Sequence, residues 1–161
     1  MEIVRLFAAA PISRGHAPGG AMTERALVHV TEDGGILEER PGTMALRAKG
    51  EITFFSEDIW LRLMDELGVP QADPSVLCRN ILVRGVDLGA LVGRRFELQG
   101  VRFEGLGRCK PHDRLDRSLW PGAHRLLTAW QAGGLRAVPL TSGILVPDAP
   151  PPRPWIIRQR G

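Results

Sequence analysis

The sequence predicts a mostly β domain, barrel-like or α+β, with a few peripheral helices. Three observations point there: short apolar runs cut by glycine between Val76 and Leu106, stretches in which apolar and charged residues alternate, and only two segments with clear helical spacing. At 161 residues with 43% apolar content, the chain has the length and composition of one domain around one core.

Glu2 to Ala8, rich in β-branched and apolar residues, reads as the first strand and ends before Pro11. Pro11 to Ala21 reads as a loop; it contains His16, and its run Gly15 to Gly20 lacks the following helix that a phosphate-cradling motif requires. A second strand is expected from Arg25 to Thr31, stopping at an Asp33-Gly34-Gly35 turn, with Ile36 to Glu39 returning as its hairpin partner. Pro41 and Gly42 then break the chain.

Ile52 to Phe55 is expected as a short buried strand leading into the clearest helix, Glu57 to Leu67. Ser56 can cap that helix, Glu57 and Asp58 favour the positive end of its dipole, and Gly68 with Pro70 closes it. Ile59, Trp60, Leu63 and Leu67 make its apolar stripe. Leu77 to Val83, Arg94 to Leu98 and Val101 to Leu106 read as strands, the last two half-buried and antiparallel across a tight Gln99-Gly100 connection. His124 to Gln131 is the second helix, ended by Gly133-Gly134, and Leu135 to Thr141 with Ile144 to Val146 forms a last strand pair. Residues 1–146 are taken as the domain. Residues 147–161 hold a run of prolines that favours extended polyproline conformation, either as a weakly ordered terminus or as a tail anchored by Trp155, Ile156 and Ile157.

The scarce residue types narrow the chemistry. There is no Tyr, there are two Cys (Cys78 and Cys109), and only Lys49 and Lys110 are lysines among 21 basic residues. Chemistry must come from two thiols, two amines, four His, the carboxylates or a bound cofactor. The arginines match carboxylate or phosphate through a planar fork, so a small anionic partner is expected. The net charge is only +3 with both signs interspersed, which argues against a nucleic-acid arm. Two Cys without a disulfide framework fit a reducing compartment, and no run approaches the roughly 20 apolar residues of a membrane span. A cytoplasmic protein is the expectation.

The reactive groups concentrate in GLGRCKPHDRLDR, from Gly105 to Arg117. Arg108 and Lys110 flank Cys109 and would lower its thiol pKa, His112 can act as base or soft ligand, and Asp113 or Asp116 can orient either. The alternative is a buried Cys at a strand end with a solvated charge cluster behind it. One Cys-x-x-His pair supplies two ligands where a structural zinc needs about four, so a zinc site is disfavoured. Cys78, in an expected apolar strand, reads as core. Arg79 and Arg136 can hold an anionic group or pair with neighbouring carboxylates, Asn80 can fix a ligand or close a turn, and Lys49 can supply a point charge or stay solvated.

The run CRNILVRGVDLGALVGRRFELQGVRFEG from Cys78 to Gly105, followed by GRCKPHDRLDR, PGAHRLL and GGLRAVPLTSG, resembles the MOSC family, the C-terminal domain of molybdenum cofactor sulfurase and its stand-alone bacterial relatives. Arg79, Asn80, Gly85, Leu88, Leu91 and Gly93 carry the motif order, and the resemblance spans roughly Ile3 to Val146. It implies a β-barrel fold and a cysteine that carries sulfur as a persulfide or ligates molybdenum, here Cys109 with His112 beside it. It also implies molybdenum cofactor binding by Lys49, Arg79, Asn80 and Arg136, pyridoxal phosphate as a family-level association, and a sulfur donor or acceptor protein as partner. The sequence departs from the family at one point. Relatives tend to show Cys-x-Pro-Cys where this chain has Cys109-Lys110-Pro111-His112. Either Cys109 takes over the family function, or the chain is a noncatalytic binding module on the same fold.

Overall fold

The computed structural model describes residues 1–9, 22–32, 34–39, 50–70 and 72–148. The loop with His16, Asp33 of the expected turn, the Pro41-Gly42 break, Lys49 and the tail beyond Asp148 lie outside the described residues. The described strands are β1 (Glu2–Ala9), β2 (Met22–Arg25), β3 (Val28–Thr31), β4 (Gly35–Ile36), β5 (Ile52–Ser56), β6 (Ile81–Arg84), β7 (Arg95–Leu98), β8 (Val101–Arg108), β9 (Leu135–Pro139) and β10 (Gly143–Leu145). The helices are α1 (Glu57–Leu67), α2 (Leu115–Ser118) and α3 (Ala123–Ala129), with 3-10 turns at Pro74–Leu77 and Leu88–Leu91.

The molecule is mostly β, as the sequence predicts. Seven strands form a mixed sheet in the order β2-β1-β6-β5-β9-β8-β7, parallel only between β5 and β6, and β10-β3-β4 form a second sheet. No closed barrel is traced among the described strands. The segment after β10 nevertheless links distant parts of the large sheet: the side-chain amide of Gln99, in the β7–β8 turn, donates to the Val146 carbonyl and the Asp148 carboxylate and accepts from the Val146 N–H, and the Asp148 N–H donates to the Ile3 carbonyl at 2.9 Å.

Alternation along the strands builds two cores. Ile3, Leu6, Ile52, Phe54, Ile81, Val83, Phe103, Leu135 and Ala137 face inward, where Val28, Val30, Ile36 and Leu145 of the small sheet cover them. Phe54, Phe96 and Phe103 meet there with ring centroids 5.4–5.7 Å apart. On the other face Val4, Phe7, Phe55 and Leu82 pack against Trp60, Leu63 and Met64 of α1 and Ala123 and Leu127 of α3. Each fully buried side chain of this size contributes about 1.5–3 kcal/mol. Helix α1 has the predicted bounds and caps, with Ser56 Oγ accepting from the Ile59 N–H and Gly68 in the left-handed region.

Three expectations are corrected. The single strand predicted from Arg25 to Thr31 is two strands in different sheets, because the chain turns at exposed Ala26 and Leu27 to pass from β2 to β3. The strand predicted from Leu77 to Val83 begins only at Ile81: Asp73 accepts from the Ser75 N–H to start a 3-10 turn, and Cys78 closes it with φ of 56°. Cys78 therefore sits in a half-buried turn and not in a core strand. Helix α2 lies in the charged segment after Cys109, where no helix was predicted.

Candidate functional site at the end of strand β8

Strand β8 ends at Arg108, and the Cys109 N–H continues its pairing by donating to the Gly134 carbonyl at 2.8 Å. This brings the CKPH segment against the GGLR segment with no room between them. A Cβ on Gly133 would stand 2.3 Å from the Cys109 oxygen and 2.9 Å from Pro111, and one on Gly134 would stand 2.3 Å from the Phe54 oxygen. Cys109 is 8% exposed, and no disulfide joins it to Cys78.

Arg79 is the clamp over this junction. Its Nε donates to the Gly133 carbonyl and its Nη2 to the Lys110 carbonyl, both at 2.8 Å, while Nη1 reaches the Cys78 carbonyl at 3.5 Å. The guanidinium thereby ties three separated chain segments through their backbone. His112 completes the junction, its Nε2 lying 2.9 Å from the Val76 carbonyl. A carbonyl only accepts, so Nε2 carries the proton and Nδ1 is left as the acceptor of the neutral ring.

Asn80 is fully buried at the start of β6. Its Oδ1 accepts from the Thr53 N–H and hydroxyl, each at 3.0 Å, and its Nδ2 donates to Glu39 Oε1 at 2.6 Å and to the Phe7 carbonyl at 3.3 Å. Arg136, on β9 beside Thr53, pairs with Glu51 at 3.4 Å on the half-exposed face of the sheet. Asp116 takes the His124 N–H at 2.8 Å, a bond that holds its carboxyl below the usual range, and Asp113 lies 3.8 Å from His124 Nε2. These two carboxylates thus contact the start of α3. Lys110 is exposed, and Lys49 lies outside the described residues.

The structure thus gathers Arg79, Cys109, Lys110 and His112 at one junction, with Asn80 beneath it and Arg136 a strand away. The sequence reading missed an adjoining feature. A cavity of about 520 Å³ opens where β5, β6 and β8 end, lined by the start of α1, residues 85–89, Arg108, residues 130–132 and Gly134. That volume falls in the range of small-molecule sites. The signal available in the sequence was Leu88-Gly89 within the glycine-punctuated motif: a Cβ on Gly89 would lie 2.7 Å from Arg108 Nη2, so the missing side chain is what admits the guanidinium.

Three solved structures share this architecture. The YuaD protein from Bacillus subtilis superposes with a TM-score of 0.68 at 17% identity, covering 91% of both chains. YiiM from Geobacillus stearothermophilus gives 0.68 at 14% identity over 92% of this chain and 72% of its own, and YiiM from Escherichia coli gives 0.61 at 15% over 93% and 68%. No protein-family model matches the chain, and no curated protein matches it by sequence.

Proposed function

We propose that the chain is a MOSC-type domain acting as a binding module for a small anionic ligand. The fold match to YuaD and YiiM fits a MOSC-type protein. The observation that carries the binding reading is the contrast between two sets of cations. Arg79 and Arg136 are occupied by backbone carbonyls and by Glu51, whereas Arg108 faces a roomy cavity with no carboxylate within ion-pair distance among the described residues.

The donor set at the junction is a poor fit to a molybdenum cofactor. Cys109 is buried, and the described arginines expected to hold anionic groups are engaged by the protein itself. Pyridoxal phosphate fits no better, since Lys110, the one described lysine, is exposed outside the cavity.

One observation favours a second reading, a sulfur carrier served by a donor or acceptor protein. In the chain Cys109 stands between Arg108 and Lys110, cations of the kind that favour a thiolate where they reach the sulfur. Intact-protein mass spectrometry without reductant, with metal analysis, on the wild type and Cys109→Ser separates the readings. The module predicts no stoichiometric molybdenum or tungsten and no sulfur adduct that depends on Cys109. Stoichiometric metal, or an adduct lost in the variant, overturns it. A cytoplasmic setting belongs to the same proposal; on the observed side, no described helix is long and apolar enough to cross a membrane.

A further inference from the structure

Arg108 leaves the end of β8 and lies on Gly89, its Cζ 3.1 Å from where a Cβ would be, with Nη1 donating to the Gln131 carbonyl at 2.9 Å. Among the described residues no other acceptor engages the guanidinium, so Nη2 and Nε remain as a fork for a ligand oxygen pair. The walls around it are apolar: Ile59, Val86, Leu88, Trp130 and Ala132. The Trp130 ring is held by Arg62, whose guanidinium carbon lies 4.0 Å from the ring centroid. Two carboxylates share the cavity. Asp87 accepts from the Gly89 N–H at 3.0 Å and Asp58 sits in the first turn of α1.

We infer that this cavity binds a small molecule with an apolar or aromatic body and a single anionic group, the anion on Arg108 and the body against Trp130 and Ile59. The inference rests on the binding-module reading and names its ligand class. An anion makes a charge-assisted pair with the exposed Arg108 fork that a neutral ligand cannot, and a dianion would meet Asp58 and Asp87. The site differs from the Cys109 junction, because Cys109, His112, Arg79 and Arg136 do not line it.

Three probes with one body test the charge selection: benzoate, benzyl alcohol and benzylamine, each titrated by calorimetry or ligand-observed NMR into the intact protein. Wild type should bind benzoate about tenfold tighter than benzyl alcohol, the size expected for a charge-assisted hydrogen-bond pair. Arg108→Gln should abolish that preference, bringing benzoate and benzyl alcohol to about equal affinity. Gly89→Ala, which pushes the guanidinium aside without removing its charge, should weaken benzoate severalfold. Asp58→Asn should strengthen benzoate about twofold at low salt. Equal binding of benzoate and benzyl alcohol to wild type, tighter binding of benzylamine, a preference that survives Arg108→Gln, or no binding of any probe overturns the inference. Loss of charge selection overturns the assignment of an anionic ligand to this cavity, whereas stoichiometric metal or a Cys109-dependent sulfur adduct overturns the noncatalytic module by a separate measurement.

Discussion

Asn80 and Thr53 are joined twice through one oxygen: the Thr53 N–H and hydroxyl both donate to Asn80 Oδ1 at 3.0 Å, at the one parallel step of the large sheet. The Asn80 N–H donates in return to the Thr53 oxygens, and its Nδ2 reaches Glu39 and the Phe7 carbonyl. Strands β1, β5 and β6 are thus stitched by a single amide that no solvent reaches. In a family-like motif such an Asn invites a ligand-binding role, but here its side chain is used within the protein.

Replacing Asn80 by Ala strands a buried N–H, a carbonyl and part of a carboxylate, at a cost of about 1–3 kcal/mol for each unsatisfied group. The expected loss is about 3–4 kcal/mol in urea unfolding, with no change in benzoate affinity where the protein is still folded. Asn80→Asp carries a second signature. Its carboxyl would face Glu39 and be pushed above the usual range, so the folded state binds the proton more tightly than the unfolded chain. The deficit against wild type is therefore smallest below about pH 4 and grows as pH rises toward 7. A pH-independent deficit would show that the amide is not facing Glu39.

Gly133 and Gly134 are where the GGLR segment meets the Cys109 junction and strand β5. The atoms that a Cβ would strike, the Cys109 and Phe54 oxygens at 2.3 Å, belong to backbone fixed by sheet pairing and have nowhere to go. Gly134 also has φ of 110°, outside the range that L side chains adopt comfortably. Each Gly→Ala change should cost about 3 kcal/mol or prevent folding. Gly85→Ala is the matched comparison: positive φ but open space, so it should cost only about 1 kcal/mol. Equal losses at Gly85 and Gly134, which share a positive φ, would show that backbone conformation, and not the close approach, sets the requirement at Gly134.

Where local chemistry decides structure, the sequence was readable. Ser56, the apolar stripe and Gly68 give α1 its bounds, and alternation around Phe96 to Phe103 gives the β7–β8 hairpin. Long-range choices were not readable. Nothing between Met22 and Thr31 signals that the chain changes sheets, since Val28 and Val30 would alternate correctly in either one. The segment around Cys109 stands out by its own residues, but the groups it packs against come from residues far along the chain. Arg79 and His112 find their acceptors in the backbone of Gly133, Lys110 and Val76, and a carbonyl leaves no mark in a side-chain pattern.

Acid should loosen the molecule at two places. Burial works against ionisation of Glu38, yet the His29 ring and backbone N–H hold its carboxyl below its ordinary 4.5. Burial likewise opposes ionisation of Asp73, and the Ser75 N–H and Arg5 outweigh it, keeping that carboxyl below 3.8. Depressed folded values mean that the stabilisation is complete above the unfolded-state values and fades as the pH falls through them toward the folded ones. Glu38→Gln should therefore cost less than about 1 kcal/mol near pH 7 and progressively less as the pH falls below 4.5. Urea midpoints for both proteins across that range check it; parallel curves would show that the His29 contact does not form in solution.

The two thiols should report the state of the Cys109 junction. Cys78 is half-buried in its turn, while Cys109 lies at 8% exposure beneath backbone that Arg79 ties together. Iodoacetamide labelling of the native protein, read by peptide mass spectrometry, should modify Cys78 first and Cys109 about tenfold more slowly, through local opening. Arg79→Ala removes three donors to the Gly133, Lys110 and Cys78 carbonyls, so it should raise the Cys109 rate severalfold with a smaller effect at Cys78. Faster labelling of Cys109 than of Cys78 in wild type would mean that the thiolate is presented to solvent, and the balance would move from the binding module to the sulfur carrier.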